Sequence, residues 1–307
     1  GGDGEIILDA KGQPTGVLNE RAQRLVSKFI PTLSLAQRQR ALQLALASLA
    51  SLGITSFQDA GATQADINLY QEFLSAKQLT SRVYVMINGS DPELLASWMQ
   101  RGPLIDVDQR MLTVRSIKLV ADGALGSRGA WLLEPYSDRV GHNGLPTMPV
   151  SEMQDISHLA YRNGFQIAIH AIGDRANREV LDIFDALFDG RDRGVRFRVE
   201  HAQHIHPSDI GRFARLGVIP SVQGIHMSSD RPWAIDRLGA ARVESGAYMW
   251  RSLIDSGAVL VNGTDVPVEP ADPFASFYAL VTRKTLQGTP EGGFEPQQKI
   301  TRVEALQ

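Results

Sequence analysis

From Ser34 onward, strand-like apolar runs alternate with amphipathic helical stretches, and that alternation constrains the fold more than any other feature of the chain. Ser34 and Gln37 spell a capping box, after which Leu35, Leu42, Leu46 and Leu49 share one helical face. Gly53 stops that helix, and Ile54–Gln58 reads as a strand. A helix near 64–78, a strand over Ser81–Ile87 and a helix opened by Asp91-Pro92-Glu93 come next. A strand at 113–121 precedes a helix over 151–163 and the strand Phe165–His170. The following helix carries Val180, Leu181, Phe184, Leu187 and Phe188 on its core face. Then come the strand Gly194–His201, the helix Pro207–Leu216 and the strand Val218–Val222. A helix near 246–256, the strand Ala258–Asn262 and the helix Pro273–Arg283 complete the series.

Strands separated by helices imply a parallel sheet, either open and doubly wound or closed into a barrel. An open sheet gathers its chemistry at one switch point. Here polar residues end at least four strands spread along the chain, which is the barrel pattern. The expectation is therefore an α/β fold of the (β/α)8 TIM-barrel type with its first strand lacking. Residues 1–33 form a lead-in, hairpin or extended; 34–299 hold barrel strands 2–8 with their helices; 300–307 lead out of the barrel.

Two segments, 122–150 and 223–245, break the rhythm and are expected as long loops over the barrel mouth. The first holds Arg128, Trp131, Tyr136 and His142; the second holds His226, Asp230, Arg231 and Trp233. Arg128 is a candidate to meet an anionic substrate group. Trp131, Trp233 and Tyr136 are candidates for the apolar wall of a small-molecule site.

Composition removes several alternatives. With no cysteine, disulfides, thiolate metal sites and a cysteine nucleophile are excluded. A net charge of −3 makes no electrostatic case for nucleic acid or an anionic membrane. No apolar run approaches a spanning helix. Neither a basic nor an apolar signal region is visible at the N-terminus; the compartment stays open, with the cytoplasm favoured, and self-association also stays open.

Four residues carry the chemistry. Lys118 sits inside the apolar run Ser116–Val120, where its ammonium must stay on a long tether, find an anionic partner or be chemically altered. His170 and His201 end successive strands, and Asp265 follows a third. Imidazole and carboxylate suit Zn²⁺ and its first-row neighbours, and a lysine carbamate would add an anionic bridge. Asp174 is expected to cap its helix.

The text around these residues resembles the amidohydrolase superfamily, in its YtcJ-like, amidohydrolase family 3 branch. The matching runs are Ile117–Ala130, Ile169–Ala176, Arg198–Gln203 and Asn262–Val268, followed by Ile300–Leu306. The resemblance implies that Lys118 is the often carboxylated lysine bridging two metals. It implies that His170 and His201 hold the second metal, and that Asp265 contacts the first and serves as general acid and base. The implied cofactor is a divalent metal, zinc above all, with one or two ions in the full-length protein. The implied reaction is hydrolysis of an amide-like C–N bond outside peptides; the alternatives are a non-catalytic barrel used as a binding or regulatory module, or hydrolysis of ester or phosphoester bonds with the same metal site. The superfamily's His-x-His pair should precede these residues. His204-Ile205-His206 has that spelling but follows the sixth strand, so it is expected as a loop feature. The chain is accordingly expected to be an internal piece of a longer protein that lacks the flanking β-sandwich, and to be inactive alone.

Overall fold

The computed structural model describes residues 4–188 and 194–307; the first three residues of the lead-in and residues 189–193 lie outside it. The chain opens with an antiparallel hairpin of β1 (Gly4–Leu8) and β2 (Pro14–Glu20). Asp9 Oδ1 shapes its turn by accepting the N–H groups of Lys11 and Gln13. A short α1 (Arg24–Ser27) leads to α2 (Leu35–Ser51), whose N-terminus carries the capping box from Ser34 and Gln37.

The alternating units then follow: β3 (Ser56–Ala62), α3 (Gln64–Ser75), β4 (Arg82–Asn88) and α4 (Pro92–Arg101). A short β5 (Leu104–Asp106) and a kinked turn, α5 (Val107–Arg110), precede β6 (Leu112–Val120). After the long loop come α6 (Val150–Arg162), β7 (Gln166–Ala171), α7 (Asp174–Phe188), β8 (Arg198–His201), α8 (Pro207–Leu216) and β9 (Ile219–Val222). Next are α9 (Gly224–Leu238), α10 (Ala240–Gly246), α11 (Trp250–Asp255), β10 (Val261–Asn262), α12 (Pro273–Thr282) and α13 (Arg302–Leu306).

Seven strands pair in parallel in the order β10-β9-β8-β7-β6-β4-β3, with β5 added antiparallel beside β6. The sheet curls into a half-barrel of the TIM type. Its concave face is polar enough to be tied across. Arg198 on β8 donates to Gln58 on β3, and Tyr84 on β4 donates to Gln166 on β7. The convex side packs on the helices through Ile117, Leu119, Ile167, Ile169 and Val199, all essentially inaccessible. The buried, helix-facing positions give these strands their apolar reading, while the concave positions carry the polar residues.

Residues 223–245 depart from the expected loop: they fold as α9 and α10. Gly224, Ile225, His226, Met227 and Ser228 are all buried, so the first turns of α9 have no polar face and no 3.6-residue period to read. Pro232 removes only one N–H from that helix without ending it. The last strand is also shorter than the expected Ala258–Asn262, pairing with β9 only at Val261 and Asn262.

A candidate metal centre

The parallel register brings the C-terminal ends of neighbouring strands to one edge, and the four sequence-derived residues gather there. Lys118 stands two residues before the end of β6, His170 next to last in β7 and His201 last in β8. Asp265 follows β10 by three residues and opens a turn closed by the Val268 N–H on its carbonyl. The rings of His170 and His201 meet edge to face with centroids 4.5 Å apart. A residue outside the sequence-derived set joins them: His226, in the first turn of α9, stacks parallel to His201 at 5.8 Å. Its Nε2 lies 3.5 Å from Asp265 Oδ2. One ligand-capable atom from each of His201, His226 and Asp265 falls within 4.8 Å of the others.

Local backbone conformation supports a functional role for the edge. His201 (φ 75°) and Asp265 (φ 57°) both lie in the left-handed region. For non-glycine residues that conformation costs about 1–3 kcal/mol and collects at functional sites. His201 is further fixed by a 2.7 Å hydrogen bond between its Nδ1 and Gln223 Oε1. The amide oxygen is an acceptor, so the proton sits on Nδ1 and Nε2 keeps a free lone pair.

Charge is tuned for ligation. Burial pushes the His170 imidazolium down to about 3, with Lys118 acting in the same direction. Burial likewise holds His201 well below the usual histidine range, helped by His170 and Lys118. His226 is lowered by burial against the opposing pull of Asp265. Three neutral imidazoles are therefore present at neutral pH, the form that binds metals. Lys118 is lowered by burial, with Glu200 and then Asp265 opposing, and its Nζ donates to the Leu119 carbonyl at 3.1 Å. Burial raises Glu200, but its ion pair with Arg198 at 2.7 Å brings it below the ordinary value. Asp265 is raised by burial, offset in part by His226 and Lys118.

The loop residues are placed differently. Arg128 is engaged by Asp138 through Nε at 3.0 Å and Nη2 at 2.8 Å. Trp131 is half-buried against the core, with the Arg175 guanidinium 5.3 Å over its ring. Trp233 lies on α9, packed near Gly126 and beneath Arg237. Tyr136 is buried and donates to the Ala130 carbonyl at 2.8 Å. The Asp174 carboxylate accepts the Leu133 N–H at 2.9 Å and lies 3.5 Å from His204 Nε2. His206 is the N-cap of α8, its side chain accepting the Ser208 N–H.

A divalent cation fits the donors that converge here. His226 Nε2 is buried with no hydrogen-bond partner, a state that normally costs free energy and that a ligand would relieve. The set combines imidazole nitrogens with a carboxylate, the donors of zinc-like sites. His226 escaped the sequence reading because its segment was taken for a loop. The signal that could have found it is position: it follows a strand end by four residues, much as Asp265 follows β10.

Known proteins resemble the chain along nearly its whole length. The model of the amidohydrolase family matches residues 2–307. The chain is 30% identical over 317 residues to Protein LONG AFTER FAR-RED 3 of Arabidopsis thaliana, covering 99% of this chain and 53% of that protein. It is 31% identical over 291 residues to YtcJ of Bacillus subtilis (strain 168), covering 92% and 53%. Among solved structures, an uncharacterized metal-dependent hydrolase from Pyrococcus horikoshii OT3 superposes with a TM-score of 0.81 at 29% identity. That match covers 97% of this chain and 59% of the other. The chain thus spans about half the length of the curated relatives it matches.

Proposed function

The chain belongs to the amidohydrolase family, and from that premise we propose that it carries the greater part of the active site of a metal-dependent hydrolase acting on a non-peptide, amide-like C–N bond. The observation that carries this reading is the convergence of His201, His226 and Asp265 at the C-terminal edge of the half-barrel, with one imidazole nitrogen buried and unpaired. His170, His201, His226 and Asp265 would hold a divalent cation such as zinc, with Lys118 beside them as amine or carbamate. When bound, such a cation makes water more acidic and polarises a carbonyl oxygen.

The protein's own groups handle the protons. Asp265, raised by burial yet facing His226, is suited to hold a proton in one state and release it in the next. It takes the proton from the attacking water as the oxygen adds to the carbonyl carbon. It then gives that proton to the nitrogen as the C–N bond breaks, so that acid and amine leave. The half-buried Trp131 and Trp233 stand on the two segments beside the mouth and would shape an apolar wall for a small substrate.

The test is hydrolysis of a panel of N-acyl amides, with esters in parallel, by the full-length protein before and after chelation and metal restoration. Amide hydrolysis lost on chelation and regained with the metal is the expected result. Turnover of esters alone would move the reading to another bond, and metal loading without turnover would leave a non-catalytic binding barrel.

A further inference from the structure

Asp122 lies two residues past the end of β6 and is fully buried. Its Oδ2 accepts the backbone N–H groups of Trp131 and Gly173, each at 2.8 Å, and its Oδ1 accepts that of Ile172 at 3.0 Å. The same Oδ1 stands 3.4 Å from His170 Nε2. That nitrogen is buried and makes no hydrogen bond at this separation, so the 16% of the His170 side chain that remains exposed lies elsewhere on the ring.

Burial pushes Asp122 up to about 7 against the pull of its three backbone N–H groups, and once ionised it has only acceptors to offer. Beside an imidazole it selects the tautomer with the proton on the near nitrogen and leaves the far nitrogen's lone pair free. Three backbone donors hold the carboxylate in register, so it keeps facing the ring. We propose that Asp122 is a positioning residue of this centre: it keeps the His170 proton on Nε2 and thereby presents Nδ1 to the cation. The assignment rests on the cation-binding reading above. One carboxylate then serves two ends, docking the loop through Trp131 and setting the chemistry of the neighbouring histidine. Outer partners of this kind, behind a ligating imidazole, typically change metal affinity 10–100-fold when removed.

Asp122→Asn gives a directional test. Two N–H groups converge on Oδ2 and one on Oδ1, so a carboxamide turns its oxygen to the Oδ2 place and its NH2 toward His170. A donor there makes Nε2 the acceptor and drives the proton to Nδ1, closing the nitrogen meant for the cation. Asn177 supplies the comparison. Its Nδ2 donates to the carbonyls of Ala171, Gly173 and His204 at 3.1, 2.9 and 3.1 Å, bracing the same turn through backbone.

In full-length protein carrying ¹⁵N-histidine, NMR of the metal-free state reads the His170 tautomer, assigned by its absence in His170→Gln. A Co²⁺ titration then reads affinity and the visible ligand-field spectrum. The wild type should carry the proton on Nε2. Asp122→Asn should carry it on Nδ1 and bind Co²⁺ roughly 10–100-fold more weakly, with an altered spectrum. Asn177→Ala should lose thermal stability while keeping tautomer and spectrum. A wild-type proton on Nδ1 overturns the proposal whether or not Asp122→Asn folds. So does an Asp122→Asn protein with unchanged tautomer and spectrum, or an Asn177→Ala protein that shifts both equally. The Nε2 tautomer in a full-length protein that takes up no Co²⁺ defeats the cation reading itself.

Discussion

His226 turns a group of strand-end residues into a closed cluster, because it stacks on His201 and faces Asp265. Its loss should be felt in metal content before stability. In the full-length protein, His226→Ala and His170→Ala should each lower bound zinc by at least the roughly 10–100-fold that loss of an outer partner costs, measured by elemental analysis after dialysis. Unchanged zinc in His226→Ala would remove it from the ligand set. One turn further along α9, Asp230 is pushed up to about 7 by burial, with Glu269 adding repulsion and Gln203 opposing. A raised carboxyl favours folding while protonated. Its contribution is full below the ordinary value of 3.8 and lost as pH rises through about 7. Urea midpoints across that window should therefore fall less steeply in Asp230→Asn than in the wild type. The other candidate ligands were legible because Lys118 interrupts an apolar strand, His170 and His201 fall at strand ends, and Asp265 follows one. His226 was not, since the buried first turns of α9 carry no polar–apolar alternation.

At the scale of elements, most helix starts were local signals and could be read, as with Ser34 and Gln37 or Asp91 and Pro92. The start of α7 was read at Asp174, but not the way it is capped. The Trp131 carbonyl accepts the N–H groups of Arg175 and Ala176, while the Asp174 side chain turns to Leu133 and His204. Such a cap comes from a distant loop, so nothing in the neighbouring sequence announces it. Gly173 allows the close approach: a Cβ there would stand 2.0 Å from the Trp131 oxygen. Gly224 plays the same part between α9 and α12, where a Cβ would meet the Ser276 carbonyl at 2.5 Å and Leu280 Cγ at 2.8 Å. Overpacking against backbone of this kind costs about 1–3 kcal/mol. Gly224→Ala should lose that much in denaturant unfolding, and metal affinity should fall with it because His226 is two residues away. Full stability in Gly224→Ala would mean that the two helices separate without penalty.

Across the whole molecule, parallel strands with a helix between each pair were legible because the buried, helix-facing positions of each strand are apolar and turn signals bound them. The ties across the concave face were not, since they come from side chains that the alternation treats as noise: Gln58, Tyr84, Gln166 and Arg198. Amide exchange should follow the resulting order of stability. β6 and β7, paired on both sides and lined by Ile117, Leu119, Ile167 and Ile169, should exchange slowest. β10, with two paired residues, and the exposed β1–β2 hairpin should exchange fastest, as read by mass spectrometry on peptides. Equal rates across the sheet would contradict this gradient. The tie between Gln58 and Arg198 has one more effect. Arg198 also grips Glu200 and Ser221, and it begins the strand that His201 ends. Like a spoke across a rim, the side chain at position 58 joins the edge strand β3 to the strand that His201 ends, so the wall facing the histidines is tied to them through one arginine.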